Sequence, residues 1–147
     1  MRFSIDGQDT NTAATTILGF TGSAAIRPKL YDFTLGSDAT PADNSAEYVV
    51  QRSTAAGTST AVTPQLLDPL TSAAVSTAGE AHSAEPTYTA NAILWQNAVN
   101  QRATYRWVAA PGGELVATAT AANGMGFQVI GIAGSAVNVN IVAHIEE

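Results

Sequence analysis

The residues of this chain that could do chemistry are few and dispersed. It has two histidines and no cysteine, so a thiolate nucleophile, a zinc–thiolate site and a disulfide framework are all excluded. His82 and Glu85 form a His-x-x-Glu within Glu80–Pro86, a spacing that holds a metal only when further ligands converge on it. The other histidine, His144, lies on the last segment. The histidine pair one residue apart used by cupin-type metalloenzymes does not occur, and the 80–86 stretch is expected to be a solvated loop. Asp6 and Asp9 around Gly7, and Asp38 with Asp43 and Asn44, could offer oxygens to calcium. Neither set has a calcium-loop spacing, so turn capping is expected. Serines are many, yet no Gly-x-Ser-x-Gly elbow is present. Gly112-Gly113 and Gly124-Met-Gly126 lack the strand-to-helix context in which glycines cradle phosphates. Trp107 sits in an alternating run and is expected in the core; Trp95 is the better candidate for an interface anchor. No catalytic, cofactor-binding or metal-binding residue is assigned, and the chain is expected not to be an enzyme.

The elements that would position any site read as β. Val137, Val139, Ile141, Ala143 and Ile145 fall at period two with Asn138, Asn140 and His144 between them, the pattern of a strand half-buried on a core. Tyr31, Phe33 and Leu35 alternate with Asp32 and Thr34, ending at Gly36-Ser37-Asp38, and Thr40–Asn44 is turn chemistry. Glu47–Arg52 is a short β-branched run. Ser53–Ala61 is low in complexity, and Pro64 and Pro69 exclude a central strand from the stretch that follows, so residues 53–70 read as a surface excursion. Tyr88–Trp95 is read as a strand, although Ala92–Val99 could also form two helical turns. Ala103, Tyr105 and Trp107 alternate, Pro111-Gly-Gly113 turns, and Leu115–Thr120 is a further strand. Asn123-Gly124 is a hairpin signal before Phe127–Ile132. The count is about eight antiparallel strands, and the expected fold is a single all-β sandwich of jelly-roll type over residues 26–147.

Residues 1–25 sustain neither period. They read as a loosely packed terminus or as an extended N-terminal arm ordered on a neighbouring subunit, anchored by Ile17, Leu18 and Phe20, which would be a liability on a free tail. The arm is the reading adopted.

Composition narrows the partners. The 147 residues are long enough to build one core without cross-links. No apolar run approaches the roughly 20 residues of a membrane span. The polar start Met1–Gly7 offers no signal-peptide core, as expected of a protein used where it is made or carried in a particle. A formal charge of −6 leaves only Arg27/Lys29 and Arg102/Arg106 as basic clusters, too little for a nucleic-acid footprint. Those four side chains are instead possible ion-pair donors to a protein partner.

The stretches Ile26–Phe33, Val62–Pro69 and Asn100–Gly112 resemble those of small cysteine-free virion proteins of tailed bacteriophages, among them capsid cement, or decoration, proteins. The resemblance covers residues 26–147 as a general pattern and carries no catalytic residue. It implies a homo-oligomer, trimer or dimer, seated on the major capsid protein at the outer surface of the phage head. Such a protein would be made in the bacterial host cytoplasm, carried in the virion, and need no cofactor. Its interface would draw on Ile17, Leu18, Phe20, Arg27, Lys29, Trp95, Arg102 and Arg106. The alternative is a carbohydrate-binding β-sandwich module of a phage fibre or surface protein, with Trp95 exposed.

Overall fold

A computed structural model describes residues 1–69 and 72–147, so the last residue of the 53–70 excursion lies outside the described residues. Its strands are β1 (Arg2–Thr10), β2 (Thr16–Thr21), β3 (Lys29–Ser37), β4 (Ser45–Ala55), β5 (Thr58–Val62) and β6 (Gln65–Leu66), then β7 (Thr77–Ala84), β8 (Thr87–Asn100), β9 (Tyr105–Val108), β10 (Leu115–Val116), β11 (Gly124–Ile132) and β12 (Asn138–Glu146). No helix occurs among the described residues. The strands form two antiparallel six-stranded sheets packed as a β-sandwich. The first sheet runs β10-β3-β12-β1-β6, with β9 also paired to β3; the second runs β5-β7-β2-β11-β4-β8.

The alternation that marked the C-terminal strand does what period two requires. Val139, Ile141, Ala143 and Ile145 are at most 1% exposed, and they meet Phe3, Ile5, Leu30, Phe33 and Leu35 of the same sheet in the core. Leu18, Phe20, Tyr48, Val50, Met125, Phe127 and Val129 supply the other layer. Phe33 is the aromatic centre: Trp95 and Phe127 meet it edge to face at 5.0 Å, and Trp107 stacks on it at 5.5 Å. On β3 the alternation slips once, because the pairing with β12 shifts between Leu30 and Asp32. That bulge leaves Leu30, Phe33 and Leu35 in the core while Tyr31 is only half-buried.

Residues 1–25 are not an arm. β1 lies between β12 and β6, and β2 lies between β7 and β11, both deep inside their sheets. Ile17 and Leu18 are 0% exposed and Phe20 2%, so none of the three is available to a neighbouring subunit. The physical reason is visible in β2, whose six residues are all buried. A strand covered on both faces shows no alternation.

Other expectations also shift. Ser53–Ala61, read as loop, contains the end of β4 and most of β5. Leu115–Thr120 shortens to a two-residue β10. Asn123-Gly124 does not make a hairpin, because β10 joins the first sheet and β11 the second. Asn123 instead closes a turn, with its amide on Thr120 O and its side chain on Thr118 Oγ1. Thr87–Asn100 is strand throughout, as favoured.

Candidate functional site

The two sheets treat their outward faces differently. In the second sheet, β7 and β8 follow one another in the chain but lie on opposite sides of β2, β11 and β4. The end of β7, Glu85-Pro86 and the start of β8 therefore cross the outer face of the sheet as one strap, and glycines make room for it. A Cβ at Gly126 would lie 2.2 Å from the Tyr88 hydroxyl, and one at Gly19 3.2 Å from His82 Nε2. Polar contacts fasten this strap. Tyr88 OH and Thr16 Oγ1 are 2.7 Å apart, Glu85 Oε2 accepts from Thr16 N at 2.9 Å, and His82 Nδ1 lies 3.2 Å from Thr16 O. Burial pushes the Tyr88 phenol far above the ordinary tyrosine range, against the opposing hydrogen bond from Thr16.

His82 and the exposed Glu85 thus hold the backbone of β2, and Glu80–Ala84 is the end of β7, where a loop was expected. No group of three or more His, Asp or Glu side chains suited to a metal occurs among the described residues. Beneath the strap is a cavity of about 60 Å³ lined in part by Thr21, Ser53, Ser59, Thr77 and His82. It has room for a few water molecules and is well short of the roughly 300 Å³ of a small-ligand pocket.

The first sheet leaves its outward face uncovered over β9, β3 and β12. Asp32, 6% exposed, sits at its centre. Arg106 donates to it as a fork, Nε to Oδ1 at 3.0 Å and Nη2 to Oδ2 at 2.7 Å, and His144 Nδ1 lies 3.2 Å from Oδ2. The Arg106 hydrogen bonds hold the Asp32 carboxyl below the usual carboxylate range; burial opposes them and His144 adds to them. Ser4 pairs with His144 across β1 and β12, and His144 with Asp32 across β12 and β3. The Tyr31 ring is 5.9 Å from that of His144, with the Arg2 guanidinium 5.3 Å from its centroid. Around this polar group Val108 and Val142 are 56% and 41% exposed. The signal for the cluster was the pairing of an acid and a histidine on two strands that prove to be neighbours, and only the register reveals it.

The remaining nominated residues divide. Trp95, Arg102 and Arg106 lie on β8, on the turn between β8 and β9, and on β9, and make separate contacts: Trp95 with Phe33, Arg102 with Pro41 and Arg106 with Asp32. Trp95 and Trp107 are both half-buried, and the Trp95 ring lies 5.4 Å from that of Tyr105. Arg102 reaches Pro41 O at 3.2 Å. Arg27 and Lys29 lie away from these, at the start of β3: Arg27 reaches Ala117 O at 3.4 Å, and Lys29 pairs in register with Val116 and Glu146. Among the described residues, no helix is long and apolar enough to cross a membrane. No family model, curated protein or solved structure matches the chain.

Proposed function

We propose that this protein is a non-enzymatic virion structural protein, a cement protein that binds the outside of a tailed-phage head and strengthens contacts between major capsid protein subunits. The observation that carries the reading is a double-sheet body with one buried core combined with an excursion between β5 and β7. That excursion presents Leu67 and Val75, 48% and 53% exposed, next to Pro64 and Pro69. With Ile17, Leu18 and Phe20 in the core, the contact role shared between an arm and the 53–70 excursion falls to the excursion alone. Extended contacts of this kind are individually modest and are multiplied by avidity across a lattice.

The strand order supports the finer fold reading. Along one sheet β9-β3-β12-β1, and along the other β8-β4-β11-β2, the chain alternates between layers as a jelly roll does, with β5 to β7 as an insertion. A glycan-binding module would call on Trp95, but Trp95 and Trp107 both spend ring surface on Phe33.

The test is co-sedimentation with phage capsids lacking the protein, followed by cryo-electron microscopy of the shell surface. Saturable binding at fixed lattice positions, weakened by a Leu67→Asp/Val75→Asp variant, is expected. A protein that stays in the supernatant overturns the reading.

A further inference from the structure

Sheet edges expose unpaired backbone donors and acceptors, and soluble proteins usually keep such edges short, interrupted or charged. Most edges here follow that rule. β5 has five residues and leads into Thr63-Pro64, β6 and β10 have two each, and β9 has four. β8 departs from it in length and charge. It is 14 residues long, contains no charged residue and no proline, and among the described residues has only β4 as a strand neighbour. Its first half is irregular, with register shifts and a positive φ at Asn91; from Ile93 to Asn100 the pairing with β4 shifts once, at Leu94, and leaves an open edge about 26 Å long. Beside that edge lie the half-buried rings of Trp95, Tyr105 and Trp107.

We infer that the β8 edge is where a second copy of this chain docks, β8 against β8 in antiparallel register about a two-fold axis, so that the second sheet continues across the dimer. An open edge is matched by a strand of similar length with its own free edge, and in this molecule β8 is that strand. Two-fold pairing of identical edges is self-complementary, so each copy satisfies the other. β8 itself brings no charged side chain to the seam, and the carboxylates beside it, Glu47 and Asp43, are held by Gln96 and Asn100. An edge of this length and the thickness of a sandwich cover roughly 500 Å² per copy, below the roughly 800 Å² of a standard stable interface. The dimer is therefore weak and concentration-dependent. The inference rests on the self-association part of the cement reading and not on shell binding.

Sedimentation velocity of the full chain from micromolar concentration to about 1 mM, with amide hydrogen exchange at both ends of the range, tests it. Expected are reversible dimers and slowed exchange at residues 93–100 as concentration rises. Ile93 and Ala98 are exposed, and an Ile93→Lys/Ala98→Lys variant puts like charges on both copies' edges. It is expected to weaken the dimer roughly tenfold or more, while Thr58→Lys/Thr60→Lys on β5, with the same charge change, leaves it intact. An unchanged thermal midpoint confirms that each variant folds. A wild type monomeric up to 1 mM overturns the inference, as do dimers indifferent to the β8 lysines. Protection of 93–100 that appears only with capsid shells or glycans assigns the edge to that partner and also overturns it. Loss of shell binding with dimers intact counts against the cement reading alone.

Discussion

The outer faces of the two sheets are built from similar small and polar residues, yet one is covered by its own chain and the other is open. Over β2 and β11 the strap from β7 to β8 sits so close that Gly126 has no space for a side chain and a Cβ at Gly19 would press on His82 Nε2 at 3.2 Å. Over β3 and β12 the outward residues meet no such layer, and the Asp32 cluster is closed off by Arg106, whose side chain is 64% exposed. The lesson concerns what the chain can present. The covered face is sealed by its own chain, whereas the open face and the β8 edge meet no further strand or strap among the described residues.

The strongest way to break this contrast is at Gly126. Gly126→Ala would drive a methyl group into Tyr88, whose ring carbons stand 3.0 and 3.2 Å from the new Cβ. Because Tyr88 is tied to Thr16, its ring has little freedom to yield. Denaturant unfolding should show a loss of about 2–3 kcal/mol, the usual scale of overpacking. A loss below about 0.5 kcal/mol would mean that the strap is loose and the face effectively open.

Tyr88→Phe is the gentler version. It keeps the ring over Gly126 and deletes the hydroxyl, leaving Thr16 Oγ1 without that partner. About 1–2 kcal/mol should be lost. In the wild type, Tyr88 should be the last tyrosine to ionise in an alkaline spectrophotometric titration, and in the variant that late component should vanish.

How much of this was legible follows from which faces alternate. β12 could be read because one face is core and the other is solvent, and Val139 to Ile145 record that directly. β2 could not be. Thr16–Thr21 is buried throughout, and its outer cover comes from His82 and Tyr88, far along the chain. The same distance hid the roles of His82 and Glu85, since nothing local says that Thr16 will supply their partners. The Asp32–His144 pair depended on β3 and β12 becoming neighbours with a bulge at Tyr31. Trp107 against Phe33 was foreseeable from alternation; the bidentate Arg106–Asp32 pair needed β9 beside β3.

On the open face the pH dependence separates the two sides. Asp32→Asn removes the charge that Arg106 and His144 share, for a loss of about 1 kcal/mol at neutral pH, modest because the arginine is solvated. The sign follows from the direction of the shift. The folded carboxyl titrates below its unfolded value of 3.8, so its stabilisation is complete above that pH and disappears as pH falls through the lower folded value. Wild type and Asp32→Asn should differ near neutrality and converge in strong acid. A difference that persists at low pH would show that the carboxyl acts by packing instead of charge.

The smallest effect is the most informative one for the contrast itself. Gly36 of β3 is the open-face counterpart of Gly126: both are strand glycines, and a Cβ at Gly36 would find its nearest neighbour, Thr104 Oγ1, at 3.4 Å. That is ordinary contact, with an exposed threonine that is free to turn away. Gly36→Ala also removes conformational freedom from the unfolded chain, which favours the variant by about 0.4–1 kcal/mol where the native backbone accepts it. The two terms should leave its stability within about 0.5 kcal/mol of the wild type, or slightly above it. The measurement is the difference between Gly36→Ala and Gly126→Ala in one denaturant series, since the same substitution in the same secondary structure cancels the propensity term. A gap of about 2 kcal/mol or more isolates the cover over the second sheet. Equal losses would mean that β3 has a cover too, and the face around Asp32 would then be closed to a partner.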